Sequence, residues 1–262
     1  MNRRILIIFE PVFMSEDKNP IRPTTPEAIQ LAKTLMRTSR YGAIAVLDPL
    51  TGRPLASRVA VATDADGTPI ILVSGLAAHT PGLIANPACS LLLGEAGKGD
   101  PLAHPRITLH CQTLKIERLS TDYPQTRRRY LNHNSKGALY VDLGDFVFFK
   151  LIVESASLNG GFGKAFNLGR DDLINTPEIA ENIASSEQDV IDGLNSNYEG
   201  EIGRYAKRHN HAASGRWKIT SIDRDGFNLS SGDHITRSHF PAQADSGDNA
   251  LEMLTGLLKT DS

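Results

Sequence analysis

The chain has 262 residues, 28 Lys and Arg against 30 Asp and Glu, and a formal net charge of −2. That balance leaves no basic excess to follow a phosphate backbone or an anionic bilayer, so neither nucleic acid nor a membrane is expected as a partner. The two cysteines, Cys89 and Cys111, lack metal-ligand spacing and read as reduced core thiols of a cytoplasmic protein rather than a disulfide scaffold.

The apolar run from Ile5 to Phe9 is too short to span a bilayer and is broken by Glu10 and Pro11. Met14 offers a second start, and residues 1–20 are expected to be an extension without fixed structure. Thr25, Pro26 and Glu27 open the first predicted helix, whose apolar face carries Ile29, Leu31, Ala32, Leu35 and Met36. Gly42 is expected to end it, and Ala43 to Asp48 to form a buried strand.

Pro54 to Ser74 then reads as a hairpin turned by Asp64-Ala65-Asp66-Gly67. Alternation places Leu55, Ser57, Val59 and Val61 on one face and Ala56, Arg58, Ala60 and Ala62 on the other. Arg58 thus stands on a floor of methyl groups. Such a surface suits a planar ligand bearing an anion, since a guanidinium offers a fork to phosphate or carboxylate. Taken alone, the hairpin is better explained by a solvated or interface arginine paired to an acid elsewhere.

A helix is expected over Ala77 to Asn86, a strand over Ala88 to Gly94, and a glycine-rich loop before the long strand Arg106 to Arg118. Thr108, His110 and Gln112 share one face of that strand, opposite Ile107, Leu109 and Cys111. A helix follows over Thr121 to Asn134, then the strand Phe146 to Glu154. The next stretch holds Gly160, Gly161, Phe162, Gly163 and Lys164; it lacks the order of a phosphate-binding loop, but its glycines imply close backbone approach. Beyond Pro177, residues 178–209 read as helical, Trp217–Ile222, Phe227–Ser230 and Ile235–Phe240 as short strands, and Asn249–Lys259 as a last helix. The expected organisation is a unit over residues 21–175 and a small αβββα unit over 176–262.

RVAVATDADGTPIILVS, LAAHT, the segment from Asn86 to Gln112, and NGGFGKAF occur in an order that resembles the FMN-binding split-barrel superfamily. More narrowly, the chain resembles its haem-utilisation, HugZ-type branch, related to pyridoxamine 5'-phosphate oxidase. The likeness runs over about residues 25–175. It implies an α+β fold: a six-stranded antiparallel split β-barrel with flanking helices and a small αβββα C-terminal domain, dimeric, with FMN or haem at the subunit interface. On this resemblance Arg58 matches the strand position that holds the FMN phosphate, Ser74 and Thr80 match nearby hydroxyls, and Gln112 matches the residue facing the flavin ring. Gly161, Phe162 and Gly163 match the glycine segment of the haem branch.

Two departures stand out. Pro81 and Gly82 follow Thr80 where flavin enzymes place a basic residue, leaving His79 as the nearest substitute. Gly193-Leu194-Asn195-Ser196-Asn197-Tyr198 replaces a family stretch that carries two histidines. The first expectation is a redox or haem-degrading protein, with Arg58 or Lys164 on the propionates and one of His104, His110, His209, His211, His234 or His239 on the iron. A non-catalytic haem or flavin carrier comes next, and an empty dimeric barrel last.

Overall fold

The computed structural model describes residues 21–210 and 215–260; the expected extension over residues 1–20 lies outside them, as does His211. Helix α1 (Pro26–Thr38) begins as its sequence predicts, with the Ala28 amide donating to the Thr25 hydroxyl at 3.3 Å. It ends at Thr38 rather than at Gly42. Gly42 instead lies inside β1 (Tyr41–Leu47), where a Cβ would stand 2.7 Å from the carbonyl oxygen of Leu92. The glycine is there for close strand packing, not for helix termination.

Five further strands complete a barrel: β2 (Pro54–Thr63), β3 (Pro69–Ser74), β4 (Ala88–Leu93), β5 (Arg106–Ile116) and β6 (Phe146–Asn159). Their order is β3-β2-β1-β4-β5-β6, all antiparallel, and β6 returns to pair with β3, which closes the sheet. Closure removes the exposed edges that an open sheet would present. Alternate residues such as Ile44, Val61, Ile71, Leu91, Leu109 and Leu151 fill the interior, each stabilising the fold by about 1.5–3 kcal/mol.

The strand predicted to stop at Glu154 runs on to Asn159 and turns back as β7 (Ala165–Gly169), where the glycine-rich sequence predicts only a loop. A bulge makes this possible. His110 pairs with Ser155 but Cys111 with Val153, so Glu154 is the extra residue, and the bend lets one end of β6 pair with β3 and the other with β7.

Helices α2 (Thr80–Ala85), α3 (Tyr123–His133) and α4 (Arg170–Leu173) flank the barrel. The predicted helical stretch beyond Pro177 is three helices, α5 (Pro177–Ala184), α6 (Glu187–Asn197) and α7 (Glu199–Asn210). Strands β8 (Lys218–Asp223), β9 (Gly226–Ser231) and β10 (His234–His239) form a separate sheet in the order β10-β9-β8, and α8 (Gly247–Thr260) follows. A second apolar cluster around Trp217, Phe227, Phe240 and Leu254 holds these elements together.

Buried charges join the two halves. Arg37 on α1 and Arg237 on β10 both meet Asp223, Arg237 through two bonds of 2.7 and 2.8 Å. Arg129 on α3 pairs with Glu187 and donates to the carbonyl of Thr63 at 2.9 Å. Glu187 in turn accepts from the Ile222 amide.

Candidate functional site

The strand registers set the outer face of the barrel in rows. Arg58, Ala43, Leu92 and Thr108 lie in one row across β2, β1, β4 and β5, and Ala56, Ala45, Ser90 and His110 lie in the next. Their inward neighbours fill the core, so this face is left to small residues and two polar ends. A shallow cavity of about 370 Å³ opens beside Tyr41, Ala43, Ala56, Arg58 and Leu92. A second, of about 360 Å³, runs along Ala45, Ala88, Ser90, His110 and Glu154.

Arg58 is exposed, and its guanidinium carbon sits 5.1 Å from the centre of the Tyr41 ring. Among the described residues it has no acid partner and no hydrogen bond. Of the solvated, acid-paired arginine that the hairpin alone favours, the fold shows the exposure and, among the described residues, no acid partner. A cation held over an aromatic face keeps its donors free for an incoming anion.

Ser74, His79 and Thr80 gather at one corner. The Thr80 hydroxyl donates to the Ser74 carbonyl at 2.7 Å, and the Ser74 hydroxyl donates to Asp145 at 2.6 Å while accepting from the Leu76 amide. His79 is buried, with Nδ1 3.0 Å from the Ser57 hydroxyl and Nε2 without a partner. Burial disfavours the imidazolium and lowers the His79 pKa below its ordinary value. The corner thus offers hydroxyls already engaged, a neutral imidazole and a carboxylate.

The remaining expected residues stand apart from Arg58 within one chain. The Gln112 amide donates to Glu154 at 3.1 Å. Gly161 and Gly163, with φ of 106° and 67°, make the turn between β6 and β7, which the Lys164 amide closes by donating to the Gly161 carbonyl. Phe162 is 69% exposed at its tip, and the Lys164 side chain is exposed without a described partner. The row through Arg58 meets β6 at Ser157, four strands away or about 19 Å at the usual strand spacing.

Three residues at these sites escaped the sequence reading: Tyr41 beneath Arg58, Asp145 at the Ser74 corner, and Ser90 beside His110. Tyr41 was one residue pair from recognition, since a strand continued past Gly42 includes it. Cys89 and Cys111 face each other across β4 and β5. Burial pushes the Cys89 thiol up to about 12 and raises Cys111 as well, which makes both unreactive core groups. Among the described residues no cluster of three His, Cys, Asp or Glu could hold a metal ion, and no helix is long and apolar enough to cross a membrane.

The family profile described as CREG, beta-barrel matches residues 23–174. The chain belongs to this CREG β-barrel family. The matched span nearly coincides with the residues on which the split-barrel resemblance rests. Another relative of this CREG β-barrel chain is the Agrobacterium tumefaciens protein Atu2129, whose structure is 30% identical with a TM-score of 0.78, over 92% of this chain and 98% of that one. A heme binding protein from Mycobacterium smegmatis shares the fold at 23% identity and a TM-score of 0.53, over 91% and 99% of the two chains. The chloroplastic heme oxygenase HOZ of Arabidopsis thaliana is 40% identical over 117 residues, which are 44% of this chain and 34% of that protein. The match thus spans about a third of the HOZ chain.

Proposed function

We propose that this CREG β-barrel protein binds haem on the outer face of its barrel, in a cleft completed by a second copy of the chain, and is an oxidoreductase of haem utilisation. The observation that carries the reading is Arg58, presented unpaired over Tyr41 beside Ala43 and Ala56. The 40% identity to HOZ supports it. In this reading Arg58 neutralises a propionate, the small alanine side chains leave room for a flat ring, and the partner copy excludes water. Lys164 and the glycine turn, remote from Arg58 in one chain, would reach the ligand from that copy. Bound haem would supply the redox chemistry, and these residues would hold it, orient it and keep water from it.

FMN is the weaker ligand. The Ser74 and Thr80 hydroxyls donate within the protein and Asp145 adds a negative charge, so the corner lacks the free donors a phosphate requires. A specific observation favours a haem carrier as second reading: Asn195, in the stretch replacing the family histidines, makes a reciprocal pair of bonds to Ile219 at 2.8 and 2.9 Å, a purely structural use.

Titration of the purified protein with haemin and with FMN, followed by absorption, tests the reading. A haem band that decays under reductant and oxygen supports the enzyme, and one that persists supports the carrier. Flavin bands in place of a haem band, or no binding of either at micromolar concentration, would overturn it.

A further inference from the structure

Resting on the haem reading above, we propose that His110 is the axial ligand of the haem iron. Among the described histidines it alone shares the outer face with Arg58. The His104 Nε2 is engaged by the Lys98 carbonyl at 3.0 Å within its own loop. His133 donates to the Ser39 carbonyl, His239 lies 3.3 Å from the Thr34 hydroxyl, and His209 stacks on Tyr205. His79 is buried against Ser57, whose side chain points away from the face that carries Arg58. His234 opens β10 in the other sheet.

His110 is exposed, and the residue directly opposite it across β4 and β5 is Ser90. The Ser90 hydroxyl lies 3.4 Å from Nδ1 of His110. With Nδ1–H donating to that oxygen, Nε2 carries the lone pair, which is the tautomer an iron requires, and the ring is oriented from behind. The ground between His110 and Arg58 is paved with Ser90, Ala45, Leu92, Ala43 and Ala56, none of them charged. Three strand spacings, about 14 Å, and one row along the strands, about 7 Å, separate the two residues, about 16 Å along the sheet. A porphyrin radius, a propionate and an extended arginine side chain fill that span in series. Glu154, the one carboxylate in the cavity beside His110, accepts from Gln112 at 3.1 Å.

The test compares haemin with iron-free protoporphyrin IX. In His110→Ala, haemin affinity should fall at least about tenfold with a shifted Soret band, while protoporphyrin IX affinity stays within about twofold of wild type. Added imidazole should restore the original band. Arg58→Ala should weaken both ligands alike. If His110→Ala leaves the haemin spectrum and affinity unchanged, another group ligates the iron and only the ligand assignment fails. If it weakens both porphyrins equally, His110 packs against the ring instead, which also overturns the assignment. If the wild-type protein gives no Soret shift with haemin, the haem reading itself falls, and the assignment with it.

Discussion

Arg58 is a residue whose environment could be read from the chain and whose contacts could not. Period-two alternation placed it among alanines, and the fold keeps it there, because the apolar alternates Val59 and Val61 must face the barrel interior. Tyr41 was hidden, and His110 stood undistinguished among six candidate histidines, because both meet that face through pairing registers between distant strands, which no local pattern specifies. An exposed, unpaired arginine contributes little to folding, so Arg58→Ala should change stability by no more than about 0.5 kcal/mol in urea unfolding. Its haemin affinity should still fall severalfold. Tyr41→Ala should act through the same guanidinium: loss of a contact worth about 0.5–1 kcal/mol loosens its orientation and costs roughly a two- to fivefold loss of haemin affinity by titration. Equal affinity in both variants and wild type would remove the pair from the site.

The hairpin of β6 and β7 is the element that the glycine count announced but did not locate. Three glycines signalled close approach, and Gly161 does lie against the Ala103 carbonyl, where a Cβ would stand 3.0 Å from the oxygen. The turn into a seventh strand was illegible because Ser155, Ala156 and Ser157 alternate between polar and merely small residues. Only the bulge opposite His110 and Cys111 shows why the strand continues. At Gly161 a side chain meets both a positive φ and that oxygen, whereas at Gly163 the φ is positive but the nearest atom is 3.7 Å away. Gly161→Ala should therefore destabilise by about 1–3 kcal/mol and Gly163→Ala by less, about 1 kcal/mol, in thermal or urea unfolding. The reverse order would mean the hairpin is held by other contacts.

At the scale of the molecule, a change of pattern near Pro177 raises the expectation of a barrel unit and a C-terminal unit, but nothing in the sequence shows the buried charges through which these two stretches meet. Arg37, Arg129, Glu187, Asp223 and Arg237 look like surface charges in the sequence, and only the fold buries them against one another. We propose that the barrel over residues 21–175 and the segment over 176–262, though each has its own apolar cluster, do not fold independently, because separation would break the Arg37–Asp223 and Arg129–Glu187 pairs that join them. Asp223→Ala, which leaves two guanidiniums buried, should cost about 3–5 kcal/mol. An Asp223→Ala protein as stable as wild type would show that water reaches this junction.

The same junction sets the response to acid, through His133 at the end of α3. Burial pulls its imidazole down to about 4; the hydrogen bond to the Ser39 carbonyl opposes this in part, and Arg40 and Arg129 reinforce it. A histidine in the unfolded chain titrates near about 6.5, so between about 6.5 and 4 the unfolded state takes up a proton that the native state refuses. Stability should fall as pH drops through that window, by about 3 kcal/mol at most, and this contribution should level off below it. Asp223 follows a different course: burial pushes its pKa up, but Arg237 and Arg37 outweigh that and hold it below the usual carboxylate range. Its stabilisation is therefore fully present above about 4 and is lost only as pH falls further. Urea unfolding of wild type and His133→Gln across this range separates the two groups. The variant should lose most of the decline between about 6.5 and 4, keeping only the part due to His79 and His239, whose imidazoles burial also lowers, and should keep the one below 4; an unchanged upper decline would assign it to a different group.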